Sequence, residues 1–285
     1  MPTLPKLAIF DVDGTIASNG VVSSDVIAAM DHLHQNGCIT TVSTGRGYIR
    51  LKEMLGNKFN EIISPQALII LEHGTKIVDH DGNIIFADFL SPSEIDHVVD
   101  FARANIDLFK LIWFNPTDVS KKVELWCADE RDVQAETVKR GHYARVFTSS
   151  IGELGDLLKE HQLTNVTLRL KDYVKVENLK LAFTRTDTNV IFQDGNMEFV
   201  KNNMNKGLAV LEVAKKLEVK TDQMLIAGNA INDVEMLDIG AGTTVLVSTG
   251  EERSTILSYL SDPESVITVD TPNDLGKYLL KLHAN

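Results

Sequence analysis

The 285-residue chain is longer than one hydrophobic core usually fills, and its 44% apolar and 24% charged residues are those of a soluble globular protein with one large or two unequal domains. No stretch approaches the roughly 18 uninterrupted apolar residues of a membrane helix, and the N-terminus lacks the cationic, apolar and small-residue series of a secretory signal. The net charge of −12, from 40 acidic against 28 basic residues, comes without any basic run, which argues against a nucleic-acid partner. The acidic surplus implies solubility, and a small anionic substrate would need a local positive pocket built against that field. The two cysteines, Cys38 and Cys127, are far apart and lack metal-ligand spacing. Cys38 lies in the apolar run CITTV and reads as a core residue, which makes the cytoplasm the simplest compartment.

In chain order, Leu7 to Phe10 is a short apolar run stopped by Asp and Gly, as a buried parallel strand would be. Ser23 or Ser24 can cap a helix through Val26, Ile27, Met30 and Leu33 that ends at Asn36-Gly37. Cys38 to Val42 reads as the next strand, Tyr48 to Leu55 as a helix and Ala67 to Leu71 as a third strand. This βαβαβ order predicts a parallel sheet. Lys76-Ile77-Val78 and Ile84-Ile85-Phe86 then flank Asp79 to Asn83 as a hairpin. From 84 to 190 helical segments (93–105, 131–140, 151–161, 174–184) alternate with strands such as 111–114, 123–127 and 166–170, a self-contained α+β insert. The parallel pattern resumes after Asp194-Gly195. There Asn205 can cap a helix through Leu208, Leu211, Val213 and Leu217. Strands follow at 224–227, 245–247 and 266–269, and a closing helix at 275–282. The expected fold is an α/β Rossmann-like parallel-sheet core (1–83 and 191–285) interrupted by an α+β cap domain (84–190).

Four short constellations carry chemistry, each at a strand's carboxyl end or a helix start, where open α/β sheets bind ligands. In Phe10-Asp11-Val12-Asp13-Gly14-Thr15, a turn at Gly14 can bring both carboxylates to one site with the Val12 carbonyl between them. That grouping supplies hard oxygen ligands for Mg2+, one oxygen free to attack and a second carboxyl for proton transfer. The same residues also suit a plain Asp-Gly turn. Calcium loops use Asp-x-Asp-Gly too, but acids at the later ligand positions are missing, since 15 to 17 are Thr, Ile and Ala. In Val42-Ser43-Thr44-Gly45-Arg46 a hydroxyl, a glycine and a helix start can hold a phosphoryl group, or serve as an ordinary N-cap. Asn205-Lys206-Gly207 puts a lysine where the helix dipole favours anions, which makes sense if Lys206 holds a phosphate, although an exposed lysine is the common case. In Gly228-Asn229-Ala230-Ile231-Asn232-Asp233, residues 229 and 233 share a face once a helical turn forms, unless Asn232-Asp233 is only a cap.

Taken together and in this order, the four motifs resemble the haloacid-dehalogenase-like hydrolases, specifically the Cof-like and sucrose-phosphatase-like branch of sugar phosphatases, over nearly the whole chain. Glu72-His73-Gly74-Thr75 stands where that branch commonly has Asn-Gly-Ala, just before the cap. The resemblance implies an Mg2+-dependent phosphomonoesterase acting on a small phosphorylated metabolite, most simply a sugar phosphate. Asp11 would attack phosphorus to give an aspartyl-phosphate, and Asp13 would protonate the leaving alcohol and then activate water. Thr44, Gly45, Arg46, Lys206 and Asn232 would hold the phosphoryl oxygens. Mg2+ would sit among Asp11, the Val12 carbonyl, Asp13, Asn229 and Asp233.

One departure matters. The family's fourth motif normally reads Gly-Asp, and this chain has Asn229, a neutral and weaker ligand. It leaves three readings open: a working enzyme with weaker metal affinity, a ligand-binding protein that has lost catalysis, or a deliberate Asp→Asn substitution. A phosphomutase or phosphotransferase shares the aspartyl-phosphate step and is the alternative enzyme. The cap would choose the substrate. Trp113, Trp126, Arg169, Lys171 and Tyr173 are available there, though the two tryptophans lie in strand-like runs that suit a packed core. None of the five is assigned a role.

Overall fold

The structure is a computed structural model that describes residues 4–118, 121–172, 174, 179, 188–193, 195–201 and 204–283. The chain divides into two compact units, Met1–Phe86 with Asn205–Asn285, and Ala87–Met204.

The first unit is built on a five-stranded parallel sheet. Its first half supplies β1 (Leu7–Phe10), the small hairpin β2 (Ala17–Ser18) and β3 (Val21–Val22), then β4 (Ile39–Val42), β5 (Ile69–Leu71), β6 (Lys76–Val78) and β7 (Ile84–Ala87). The apolar run of β1 is fully buried because it lies inside the sheet, paired in parallel on both sides. The helix Ser24–Gln35 starts at Ser23, whose hydroxyl accepts the Val26 N–H at 3.3 Å, and ends as Gly37 takes a φ of +77°.

The third strand of the expected βαβαβ unit, β5, runs parallel to the core sheet where Ile70 bridges Ser43, but it forms no ladder there among the described residues and pairs instead with β6. The turn from β5 into β6 is too short for a crossover helix, so β6 folds back antiparallel.

The second unit holds β8 (Phe109–Phe114), β9 (Val123–Cys127), β10 (Ala144–Phe147), β11 (Asn165–Leu170), β12 (Thr188–Gln193) and β13 (Asn196–Lys201), ordered β10-β9-β8-β11-β13-β12. Period-two alternation splits two of its strands between separate apolar clusters. Ile112, Phe114 and Trp126 face one cluster, and Leu111, Leu125 and Cys127 face the other. Trp126 is buried and donates Nε1–H to the Ser149 carbonyl at 3.1 Å, and Trp113 packs partly buried on the second cluster. Both tryptophans therefore pack within the unit. The helix Pro92–Ala104 opens with a capping box of Ser91 and Glu94.

This unit runs on to Met204 rather than closing at 190, because β12 and β13 pair with each other and β13 pairs with β11. The parallel pattern resumes only at Asn205. Tyr173, Asp194 and most of the helix expected over 174–184 lie outside the described residues.

Back in the first unit come the helix Lys206–Lys216, β14 (Met224–Gly228), β15 (Thr243–Val247) and β16 (Ile267–Val269), completing the order β16-β15-β14-β1-β4. Asn205 caps the helix, its side-chain oxygen accepting the Leu208 N–H at 2.8 Å. The closing helix runs over Pro272–Leu279 and meets Ser24–Gln35 so closely that a Cβ on Gly276 would lie 2.6 Å from the Asp25 backbone. Among the described residues no helix is long and apolar enough to cross a membrane.

Phe199 is fully buried and packs its ring 5.9 Å from that of Phe101. Phe199→Ala is expected to lower the stability of the second unit by about 3–5 kcal/mol. Urea unfolding followed by the fluorescence of Trp113 and Trp126, both in that unit, measures it, and a shift below about 1 kcal/mol would contradict this packing.

Candidate active site

Three strands end level with one another. Phe10 is in register with Val42 on one side and Ala227 on the other, so the loops after β1, β4 and β14 begin side by side. The Asp11 N–H donates to the Ala227 carbonyl at 2.8 Å and the Ser43 N–H to the Phe10 carbonyl at 2.9 Å, which carries the ladder into the loops. Sequence segments more than 200 residues apart thereby meet at one sheet edge, as the strand-end rule for open α/β sheets requires.

The centre of the site is the ammonium of Lys206. Nζ lies 2.6 Å from Asp11 Oδ1 and 2.6 Å from Asp233 Oδ1, and all three side chains are buried. Burial works to lower the Lys206 pKa, but the two carboxylates outweigh it and hold the ammonium above the ordinary lysine range. Burial first, then Asp233, raises the Asp11 carboxyl to about 6 against the pull of Lys206. A cation placed beside Asp11 would draw it down again, so cation binding and proton release are coupled there.

Lys206 reaches this place because of the residue after it. A Cβ on Gly207 would lie 2.3 Å from the Glu235 carbonyl oxygen, so only glycine lets the helix start press against the loop that carries Asp233. Asp233 is spent on support. Its Oδ1 takes Lys206, and its Oδ2 accepts the N–H groups of Asn229 at 2.9 Å and Ala230 at 3.1 Å.

Beside this cluster oxygens converge around the Asn229 amide, which lies 3.0 Å from Thr15 Oγ1. With its NH2 turned inward the amide reaches Asp11 Oδ2 at 3.2 Å and the Asp13 carbonyl at 3.0 Å. Gly14, with φ of +91°, makes the close approach possible, since a Cβ there would lie 2.3 Å from the Asn229 amide group. With the amide turned the other way, its oxygen joins Asp11 Oδ2 and the Asp13 carbonyl as a hard donor set that would suit a small dication such as Mg2+.

Several of the expected site groups have partners of their own. The Val12 carbonyl accepts the N–H groups of Ile16 at 3.1 Å and Ala17 at 2.9 Å, so both its lone pairs are used and the Asp13 carbonyl takes its place at the site. The Asp13 carboxylate is held by Arg46 in a fork, Nε to Oδ2 and Nη2 to Oδ1 both at 2.7 Å, so the two side chains expected at the metal and at the phosphate are partners of each other.

Thr44 is buried, and its Oγ1 accepts the Arg46 N–H at 3.2 Å. Gly45 is half-buried beside it, and Asn232 lies half-buried in the short turn Ile231–Asp233. Thr15 was missed as a site member, although it sits 3.3 Å from Asp11 Oδ2. Its hydroxyl, four residues after Asp11 across a glycine turn, was the available signal.

The sequence matches the family of haloacid dehalogenase-like hydrolases over residues 8–258, and the chain belongs to that family. It is similar to the HMP-PP phosphatase of Citrobacter koseri, 26% identical over 246 residues that span 84% of this chain and 83% of that one. It is also similar to the HMP-PP phosphatase of Yersinia pseudotuberculosis, 23% identical over 250 residues that span 83% and 82%. Among solved structures, BT1666 from Bacteroides thetaiotaomicron, described among phosphatases of the haloalkanoate superfamily, superposes with a TM-score of 0.72 at 18% identity, over 97% of this chain and 94% of that one. The subclass IIB sugar phosphatase BT4131 gives 0.72 at 17% identity over 96% and 97%. The fold is therefore the α/β fold of this superfamily, with its parallel-sheet core.

Replacing Lys206 by Met removes the one cation shared by two buried carboxylates. The expected result is a loss of about 3–5 kcal/mol in stability and of at least about 10²-fold in any hydrolytic activity. Chemical denaturation and turnover on the same preparation check both, and a variant as stable as the parent would contradict the shared ion pair.

Proposed function

We propose that the chain is an Mg2+-dependent phosphatase that hydrolyses a small phosphorylated metabolite, most simply a sugar phosphate, through a phosphoryl group carried on Asp11. The observation that carries this reading is the buried Lys206 ammonium held between Asp11 and Asp233 at the strand ends. It fixes a carboxylate where an anionic substrate can approach it with positive charge already in place. Phosphoryl transfer asks the protein mainly for positioning and charge neutralisation.

In this reading Asp11 bonds to phosphorus as the bond to the leaving oxygen breaks, and Asp13 delivers a proton to that oxygen. Asp13 then takes a proton from the water that opens the phosphoryl-Asp11 bond. The Thr44 hydroxyl and the N–H groups of the following turn would receive phosphoryl oxygens, with Lys206 and Asn232 completing the cradle. Asp11, the Asp13 carbonyl and Asn229 would hold the metal, and Asp233 would keep Lys206 and the 229–230 backbone in place. When bound, Mg2+ supplies the charge that offsets repulsion between Asp11 and the substrate. Sugar phosphates as substrate class rest on the likeness to BT4131, and the curated relatives add HMP-PP to the compounds to be tried. Both cysteines are free and buried, which suits a reducing cytoplasm.

The test is phosphate release from a panel of sugar phosphates and HMP-PP, with and without Mg2+, by the parent and by Asp11→Asn and Asn229→Asp. The parent is expected to need Mg2+, and Asp11→Asn to lose at least about 10³-fold, as nucleophile removal does. Asn229→Asp restores a charged ligand and is expected to lower the half-saturating Mg2+ concentration about tenfold. Activity in Asp11→Asn equal to the parent's would sink the mechanism. Activity confined to Asn229→Asp would show that the chain as it stands carries a disabled or deliberately substituted site on a phosphatase scaffold.

A further inference from the structure

Arg46 does not extend freely from its loop. Its guanidinium meets Asp13 with two parallel N–H···O bonds, both 2.7 Å, and such a fork fixes the plane of a carboxylate as well as its position.

The backbone that presents Arg46 is pinned from both sides. The Arg46 N–H donates to Thr44 Oγ1 at 3.2 Å, the Arg46 carbonyl accepts the Glu72 N–H at 3.3 Å, and the Thr44 carbonyl accepts the His73 N–H at 3.2 Å. To make those bonds Glu72 and His73 take left-handed φ values of 51° and 58°, although both side chains are buried and neither residue is glycine. The His73 ring lies so close over Gly45 that a Cβ there would come within 2.5 Å of it. Two consecutive residues held in a disfavoured conformation against one loop are a device for placing that loop.

What the loop places is the Arg46 fork. The side chains of Arg46 and Asp13 are 24% and 45% exposed, so the pair adds little to stability. Its geometry serves something else.

We propose that Arg46 is a positioning residue for Asp13, holding in one orientation the carboxyl that exchanges a proton with the leaving oxygen, and that it is not a ligand of the phosphoryl group. The inference rests on the phosphatase reading above. When Asp13 carries the proton, the fork gives up its bond to the protonated oxygen and keeps the other, so the carboxyl plane is retained. The proton then passes to the leaving oxygen as its bond to phosphorus breaks, and the second bond of the fork re-forms. The same plane serves when Asp13 takes a proton from water.

A role through the acid and a role on the phosphoryl group differ in leaving-group dependence. Phenyl phosphate has a poor leaving group that needs the proton, and p-nitrophenyl phosphate has a good one that needs it less. With Mg2+ present, Arg46→Ala is expected to lower kcat on phenyl phosphate about tenfold more than on p-nitrophenyl phosphate. Arg46→Lys, which keeps the charge but loses the fork, is expected to behave like Arg46→Ala. In an Asp13→Asn background, Arg46→Ala is expected to change the ratio of the two rates by less than about twofold, because two residues that act as one unit are not additive.

Because the pair is exposed, thermal unfolding of the Arg46 variants should move by less than about 2 °C. A large loss would overturn the positioning role in favour of a structural one. Equal losses on both esters with a raised KM, rescued by Lys, would overturn it in favour of a phosphate ligand. A parent that turns over neither ester would overturn the phosphatase reading and this inference together. A parent active on both with an unchanged rate ratio in every Arg46 variant would overturn this inference alone.

Discussion

The arrangement of the site depends on placing one ammonium between two carboxylates out of contact with water. Such a cluster is unfavourable to assemble from its parts, since each ion loses hydration, and it holds only when the partners are within direct hydrogen-bond distance. Lys206 meets that condition at 2.6 Å to each acid. The surrounding chain is organised around the requirement. Asn205 caps the helix that starts with Lys206, Gly207 removes the side chain that would hold the helix off, and the β14 loop turns Asp233 inward through the N–H groups of Asn229 and Ala230. A lysine at a helix N-terminus opposes the helix dipole, and here the two acids more than offset it.

Charge balance explains why the Asn at 229 is tolerable to the fold. Asp11 and Asp233 already place two negative groups against one positive group in a buried space, and burial with Asp233 raises the Asp11 carboxyl. A third carboxylate within reach of Asp11 Oδ2 would add to that repulsion wherever no cation compensates it. The neutral amide meets the same oxygens by hydrogen bonding. The cost falls on metal affinity, because a neutral oxygen attracts a dication less than a charged one does.

The Glu72-His73 turn shows a different use of energy. Left-handed φ at two buried non-glycine residues is a conformation that surrounding contacts must hold in place. Its N–H groups reach the carbonyls of Arg46 and Thr44, and the next residue, Gly74, lies so near the Asn205 carbonyl that a Cβ would come within 2.4 Å. One short turn thus abuts both the Thr44–Arg46 loop and the start of the Lys206 helix. The main chain of this turn thereby bears on the spacing between the two.

Much of this was legible in one dimension. The apolar runs at 7–10, 38–42 and 224–227, the caps at Ser23 and Asn205 and the four motifs at strand ends follow from local pattern, because hydrophobic period and capping chemistry act over a few residues. Asp11, Thr44, Lys206, Asn229 and Asp233 could be named as candidates for the same reason: each stands beside a strand end or a helix start. What the sequence could not specify was which atom faces which. That Val12's carbonyl is used by Ile16 and Ala17 while Asp13's is directed at Asn229 depends on a turn at Gly14 that packs against Asn229, more than 200 residues on. The pairing of Arg46 with Asp13 and the run of the second unit to Met204 are likewise decided by long-range pairing. By itself the sequence determined the elements and the kinds of group brought to the site, because those are local properties. Only the tertiary structure decided the partner of each group, because hydrogen-bond direction and close approach depend on segments far apart in the chain meeting at one sheet edge.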